Sequence, residues 1–408
     1  MARSVTFGMV ATLAVVFLEG CASGSTPPPA ASRVSPSATT ESTPALAETT
    51  PTPSPESAGP FIVDLTWVSD QTGWALSAVE CASGLCPEVA NTIDGGKTWR
   101  QLPSPPALIP SGAVDCSKTA CISHVRFAST MFGYLYGPAL LVTSNGGQTW
   151  RPERSLPVEA LEPTQGHVYR IVYDHGGCPG PCDRTVEVAP EGSATWRTLL
   201  TIPFMDVASR QDSAQLVTQG SQDVYIAIYG DLGAGGGAQQ AVLFRSLDAG
   251  RTWNRLGDPC GGSGAAVNDA TSLAASTGGF VVALCVPRSG SSRLFVVTSS
   301  NGGATWGLPH LAPGSIPQLI AAASSTHLAL TTASTTGSGP VTYTLYVSSD
   351  GGAHWSLAVR DPEYLDSAAP GSAFLGFEDS LVGRWVGFER AIWTTQDGGA
   401  RWTRRPFH

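Results

Sequence analysis

From about residue 60 to the C-terminus, short runs of apolar, β-branched and aromatic residues alternate with polar turns. They come in fours. In the last group Ala373–Glu378, Leu381–Phe388, Ala391–Thr395 and Arg401–Phe407 read as strands, and in the group before it Pro317–Ser324, His327–Ser334, Tyr343–Ser349 and His354–Arg360 do so. Upstream the pattern changes twice. Arg3 is followed by an apolar run free of charge, Val5–Leu18, shorter than the roughly twenty residues that span a bilayer as a helix. Residues 22–59 are almost wholly Ser, Thr, Pro, Ala, Gly and Glu, with no aromatic side chain, so they can bury no core.

One octapeptide punctuates the strand region at intervals of 46 to 57 residues. It reads Thr92-Ile93-Asp94-Gly95-Gly96-Lys97-Thr98-Trp99 first, then recurs around Asn145, Asp248, Asn301, Asp350 and Asp397, ending each time in Trp. A degenerate copy around Glu191 fills the one large gap, which makes seven. Self-similarity at such a period signals a repeat architecture. In each copy a short polar loop joins the third and fourth strands. The Asp or Asn oxygen accepts hydrogen bonds from loop amides, glycine takes angles other residues avoid, and Trp packs a large apolar face on the hairpin. Asn145 and Asn301 keep the acceptor without the charge, so these acidic positions are read as turn chemistry and not as catalysis. The fold class that follows is all-β, a seven-bladed β-propeller of four-stranded antiparallel blades over residues 60–408. First and last repeats each hold four strands, so ring closure is expected from packing between blades.

The octapeptide resembles the Asp-box, or BNR repeat, of sialidases, sortilin-type receptors, xyloglucan hydrolases and the photosystem II assembly factor family. Gly73-Trp74-Ala75-Leu76 and Gly133-Tyr134-Leu135-Tyr136 are similar to the Gly-Trp-Ala stretch of the last of these. The resemblance implies that the boxes lie on one face and that any ligand site lies on the other, among loops joining strands two and three and loops joining blades. Here those are residues 104–121, 174–184, 230–239, 257–268 and 334–341. Tyr169, Arg170, Asp174, His175, Tyr364 and Asp366 combine aromatic and ionisable groups there and are the ligand-binding candidates.

Leu18-Glu19-Gly20-Cys21 ends the apolar run and resembles a bacterial lipobox, which makes residues 1–20 a lipoprotein signal peptide and Cys21 the lipidated residue. Several acyl chains on one cysteine give stable attachment, and residues 21–59 become a tether on the outer face of the cell membrane. Of nine cysteines, Cys21 is the odd one. The other eight form sequence-close pairs, Cys81 with Cys86, Cys116 with Cys121, Cys178 with Cys182 and Cys260 with Cys285, consistent with an oxidising compartment. His175, Cys178 and Cys182, with His167 near, also have zinc-like spacing, but export favours the disulfide and no metal is assigned.

A net charge of -9, with Lys97 and Lys118 as the two lysines of the chain, excludes an electrostatic grip on nucleic acid. Gly233–Gly237 lacks the Lys and Ser or Thr of a phosphate loop, and no cofactor is expected. A sialidase-like enzyme needs three convergent arginines. The chain offers Arg126, Arg170, Arg245, Arg293, Arg384 and Arg390, but none between Phe61 and Asp94 and no Arg-Ile-Pro before the first box. A xyloglucanase-like enzyme needs two facing carboxylates, and Asp64, Asp206, Asp223, Asp269, Asp366 and Asp379 carry no distinguishing context. The reading is a monomeric binding or assembly module for a protein or glycan ligand, with a glycoside hydrolase as the alternative. Changing Cys21→Ser is expected to release the protein from membranes or block its maturation, and membrane partition unchanged in fractionation would refute the lipobox.

Overall fold

A computed structural model describes residues 60–111, 114–173, 183–203, 213–229, 241–261, 268–287, 293–335, 341–361, 374–387 and 391–407. Residues 1–59, with Cys21, lie outside them, as do Asp174, His175, Cys178, Cys182, Tyr364 and Asp366. The described chain forms seven four-stranded antiparallel sheets, each a meander of consecutive strands, which together make a seven-bladed propeller. From first to last strand the blades are Phe61–Gln101, His124–Glu153, Val158–Ile202, Ser213–Leu256, Asn268–Ala312, Ile316–Asp361 and Phe374–Pro406. We number them 1 to 7.

The strand boundaries follow the apolar runs closely. The third strand of blade 7 is Ala391–Thr395, as the sequence pattern predicts. Its fourth is shorter than predicted, Thr403–Pro406, because Arg401 and Trp402 still belong to the box loop. The same holds in blade 6, where the last strand begins at Ser356, after His354 and Trp355.

Burial is greatest between blades. Seven apolar clusters occur among the described residues, one at each interface, and each includes the box Trp of the later blade. Between blades 1 and 2, for instance, Trp74 stacks on Phe127 at 3.7 Å between ring centroids, and Trp150 meets Phe127 edge-on at 6.0 Å. The closing interface follows the same rule. Ile62 and Leu65 of blade 1 pack with Val386, Ile392 and Phe407 beside blade 7, and Trp99 meets Phe407 at 5.2 Å. No strand is shared across this seam in the described sheets, so side chains alone close the ring.

Box loops build the Trp into place. In the first, Asp94 Oδ1 accepts hydrogen bonds from the Lys97 and Thr98 amides at 2.9 Å each, Asp94 Oδ2 accepts from the Thr98 hydroxyl at 2.6 Å, and Thr92 Oγ1 accepts from Gly96 N at 3.0 Å. The Asn boxes keep the frame but reverse one bond: Asn145 Nδ2 and Asn301 Nδ2 donate to Thr149 and Thr305 at 2.9 and 2.8 Å. Glycine is required where the loop meets the preceding blade. Gly303 has φ +81°, and a Cβ there would lie 2.8 Å from Leu256 Cδ1.

Three predicted disulfides are present, Cys81–Cys86, Cys116–Cys121 and Cys260–Cys285, and the fourth pair lies outside the described residues. The first closes the long second hairpin of blade 1. The second sits in the crossing to blade 2, where Ile109 bridges to Leu85 and Leu108 to Cys121.

Hydrogen bonds from the Thr98 and Thr252 hydroxyls and amides hold Asp94 and Asp248 at about 2, and the His354 amide and ring do the same for Asp350. These folded values lie below the unfolded value of about 3.9, so the stabilisation is complete above about pH 4 and is lost as pH falls toward about 2. The triple variant Asp94→Asn, Asp248→Asn, Asp350→Asn is expected to flatten the fall of the urea midpoint across that window. A slope equal to wild type would show that the boxes do not titrate with folding.

Candidate functional site

The first strand of every blade faces the propeller axis, and together these strands line a central cavity of about 610 Å³. Neighbouring inner strands are tied by side chains. Asp64 Oδ2 accepts from Val125 N at 3.0 Å and Thr66 Oγ1 from Phe127 N at 3.2 Å, joining blades 1 and 2. Gln215 Oε1 accepts from Leu273 N at 3.0 Å, and Ser272 Oγ from Ile320 N at 3.3 Å, doing the same for blades 4 to 6. A polar residue in an otherwise apolar inner strand thus satisfies backbone donors that an unpaired inner edge leaves open.

Blades 1 to 3 add charge to this frame. Arg126, in the inner strand His124–Phe127, reaches Asp64 Oδ2 through Nη1 at 2.7 Å and Glu162 Oε1 through Nε at 2.6 Å. Its Nη1 also donates to Val125 O at 2.8 Å. His124 Nδ1 lies 3.3 Å from Asp64 Oδ2, and the His124 ring stacks on Tyr136 at 4.9 Å. Burial opposes ionisation of Asp64, but Arg126, His124 and the Val125 amide outweigh it and hold the carboxyl below its usual range. For Arg126 burial is likewise overcome, by Asp64 and Glu162, and its charge is secured. Glu162 goes the other way, since burial outweighs Arg126 and pushes its carboxyl up. Burial also raises the Tyr136 hydroxyl.

Two more acidic groups line the cavity, each against an arginine behind the wall. Glu159 receives Arg184 through two bonds, Nε to Oε2 at 2.8 Å and Nη2 to Oε1 at 3.2 Å. Glu378 lies 4.0 Å from Arg384, whose guanidinium sits 4.2 Å over the Trp67 ring and donates to Asp70 O at 3.0 Å across the closing seam. Burial lifts the Glu378 carboxyl to about 8, with Arg384 opposing only in part.

Of the sequence candidates, Tyr169 and Arg170 are described and are not on the loop face. Both lie within the second strand of blade 3, His167–Tyr173, and are 0% and 5% exposed. Arg170 donates to Glu187 at 2.7 Å, lies 3.9 Å from Glu153, and covers the Trp196 ring at 3.8 Å, while Trp196 Nε1 donates to Glu153 at 2.6 Å. Their position is corrected to the blade interfaces, Arg170 to that of blades 2 and 3 and Tyr169 to that of blades 3 and 4, because both lie mid-strand between buried Val168 and Ile171 and neighbouring blades cover them. Asp174, His175, Tyr364 and Asp366 fall outside the described residues. Among the described residues no group of three His, Cys, Asp or Glu side chains is placed to hold a metal ion.

The cavity residues were present in the sequence only as one arginine among six and one aspartate among six. The available signal was placement: Asp64 and Arg126 are charged residues inside first strands that are otherwise largely apolar.

No protein-family model matches the chain, and no curated protein matches it by sequence. Solved structures match the fold. YCF48 from Cyanidioschyzon merolae aligns at 14% identity over 84% of this chain and 97% of that one, with a TM-score of 0.51. A polysaccharide lyase, an ulvan lyase, aligns at 11% identity over 86% and 96%, also at 0.51. At such identity the likeness is one of architecture.

Removing the cation at the hub would leave Asp64 and Glu162 without their shared partner. Arg126→Met is expected to lower unfolding stability by about 3 kcal/mol, in the range for a broken buried pair. The same change at exposed Arg100 is expected to be nearly neutral. Equal chemical-denaturation midpoints for the two variants would show that the hub pair is not structural.

Proposed function

We propose that the chain is a lipid-anchored extracytoplasmic binding module that presents the end of the propeller opposite its boxes, and the cavity mouth there, to a protein or glycan ligand. The observation that carries this reading is the state of the cavity carboxyls. Asp64, Glu159, Glu162 and Glu378 are the acidic side chains lining it among the described residues; the first three are hydrogen-bonded by an arginine, while Arg384 stands 4.0 Å from Glu378. Acid–base catalysis needs carboxyls that can exchange protons with substrate, whereas paired ones make a fixed polar wall. A preformed wall loses little freedom when a ligand docks, which favours recognition. Anchor and tether come from the sequence around Cys21 and residues 22–59, and they suit a device that displays one face at the cell envelope.

A glycan-cleaving reading has one observation in its favour. Glu378, with its carboxyl at about 8, carries a proton at neutral pH in the cavity wall. The two readings part on turnover. Purified protein incubated with xyloglucan oligosaccharides and fluorogenic sialosides is expected to release no product above the buffer blank. Release that disappears in Glu378→Gln would replace the binding reading with the enzymatic one.

A further inference from the structure

Two arginine–glutamate pairs face the same cavity and differ in one respect. Arg184 and Glu159 close a fork, with both carboxylate oxygens bonded. Arg126 and Glu162 make a single bond, Nε to Oε1 at 2.6 Å, because Arg126 Nη1 is turned to Asp64 and Val125. Among the described residues neither Arg126 Nη2 nor Glu162 Oε2 has a hydrogen-bond partner. The two side chains are 18% and 25% exposed and both line the cavity. A donor and an acceptor therefore stand side by side, fixed by a neighbouring ion pair, and open to whatever enters.

We infer that this half-open fork takes a hydroxyl group of a neutral sugar, which accepts from Arg126 Nη2 and donates to Glu162 Oε2. The inference rests on the binding-module reading and names the chemistry of its ligand. Charge narrows the choice. Two carboxylates share one guanidinium here, with His124 3.3 Å from Asp64, so an acidic sugar, sulfate or carboxylate finds no net positive charge to hold it. A cationic group would have to displace or crowd Arg126. A hydroxyl both donates and accepts, which suits the pair without adding charge.

Two further features favour a sugar over an extended peptide. Strand addition needs free backbone donors along an inner edge, but the amides of Val125, Phe127, Leu273 and Ile320 are already taken by side chains of the preceding blade. The same cavity is lined by the half-buried rings of Trp67, Phe374 and Phe377, apolar faces of the kind that small-ligand sites combine with a few fixed polar groups. Its volume of about 610 Å³ lies within the usual range for such sites.

The test is calorimetric titration of the full chain in detergent with cello-, manno- and xylo-oligosaccharides of short length, and with oligouronates of matching length. Expected is binding of at least one neutral series roughly tenfold tighter than its acidic counterpart, weakened roughly tenfold in Glu162→Ala. Glu162→Gln, which offers an amide in place of a carboxylate at the fork, is expected to weaken it as well, while Glu187→Gln, in the interface of blades 2 and 3, is expected to leave it unchanged. Equal binding of neutral and acidic sugars, or neutral binding indifferent to Glu162, overturns the fork. Failure of every sugar also overturns it and leaves the binding-module reading intact. Cleavage of a bound neutral sugar, with affinity still dependent on Glu162, instead overturns the binding-module reading and keeps the fork.

Discussion

The structure depends on the burial of one sheet face against the next, repeated seven times around an axis. A single four-stranded sheet of this length cannot bury both of its faces, and its neighbours do that for it. The box Trp is placed where this matters most. It is held by a loop whose hydrogen bonds are local, and it packs across the boundary into the preceding blade's cluster. Local order at the loop thus becomes long-range order of the ring.

The interface of blades 2 and 3 shows what happens when the local part fails. Around Glu191 the box frame is lost, and the loop is held by bonds from Ser193 N to Pro190 O and Thr195 N to Ser193 Oγ. Its Trp196 is nevertheless in place, now fastened by Glu153 at its ring nitrogen and by Arg170 over its face. The ionic cluster of Arg170, Glu153 and Glu187 stands where the missing loop bonds would otherwise do the positioning. This gives Arg170 its role, which is to hold blades 2 and 3 together, while Tyr169 packs toward blade 4.

Blade number, strand order and three of the four disulfide pairs could be read from the sequence because each is carried by a local pattern: a Trp-ended octad, an apolar run, a close cysteine pair. The hub could not. Asp64, Arg126 and Glu162 come from three different blades, and each alone is an unremarked charge in a strand. Only the packing of consecutive blades brings Arg126 within 2.7 Å of both acids. Tyr169 and Arg170 lie mid-strand between buried Val168 and Ile171, and their polar atoms look like surface chemistry until the adjoining blades cover them. What was legible was periodic, and what was missed was made by packing between blades.

The seam between blades 7 and 1 has a mechanical consequence. The first described residues of the propeller enter it at the axis, in the strand Phe61–Trp67, which is paired along its length with the segment Gly73–Ala78. Tension arriving from upstream of Phe61 would therefore load that ladder in shear, with Asp64 and Thr66 passing part of the load to blade 2. A domain joined through an outermost strand would instead be unzipped one bond at a time. Entering at the hub lets this ring be pulled without peeling.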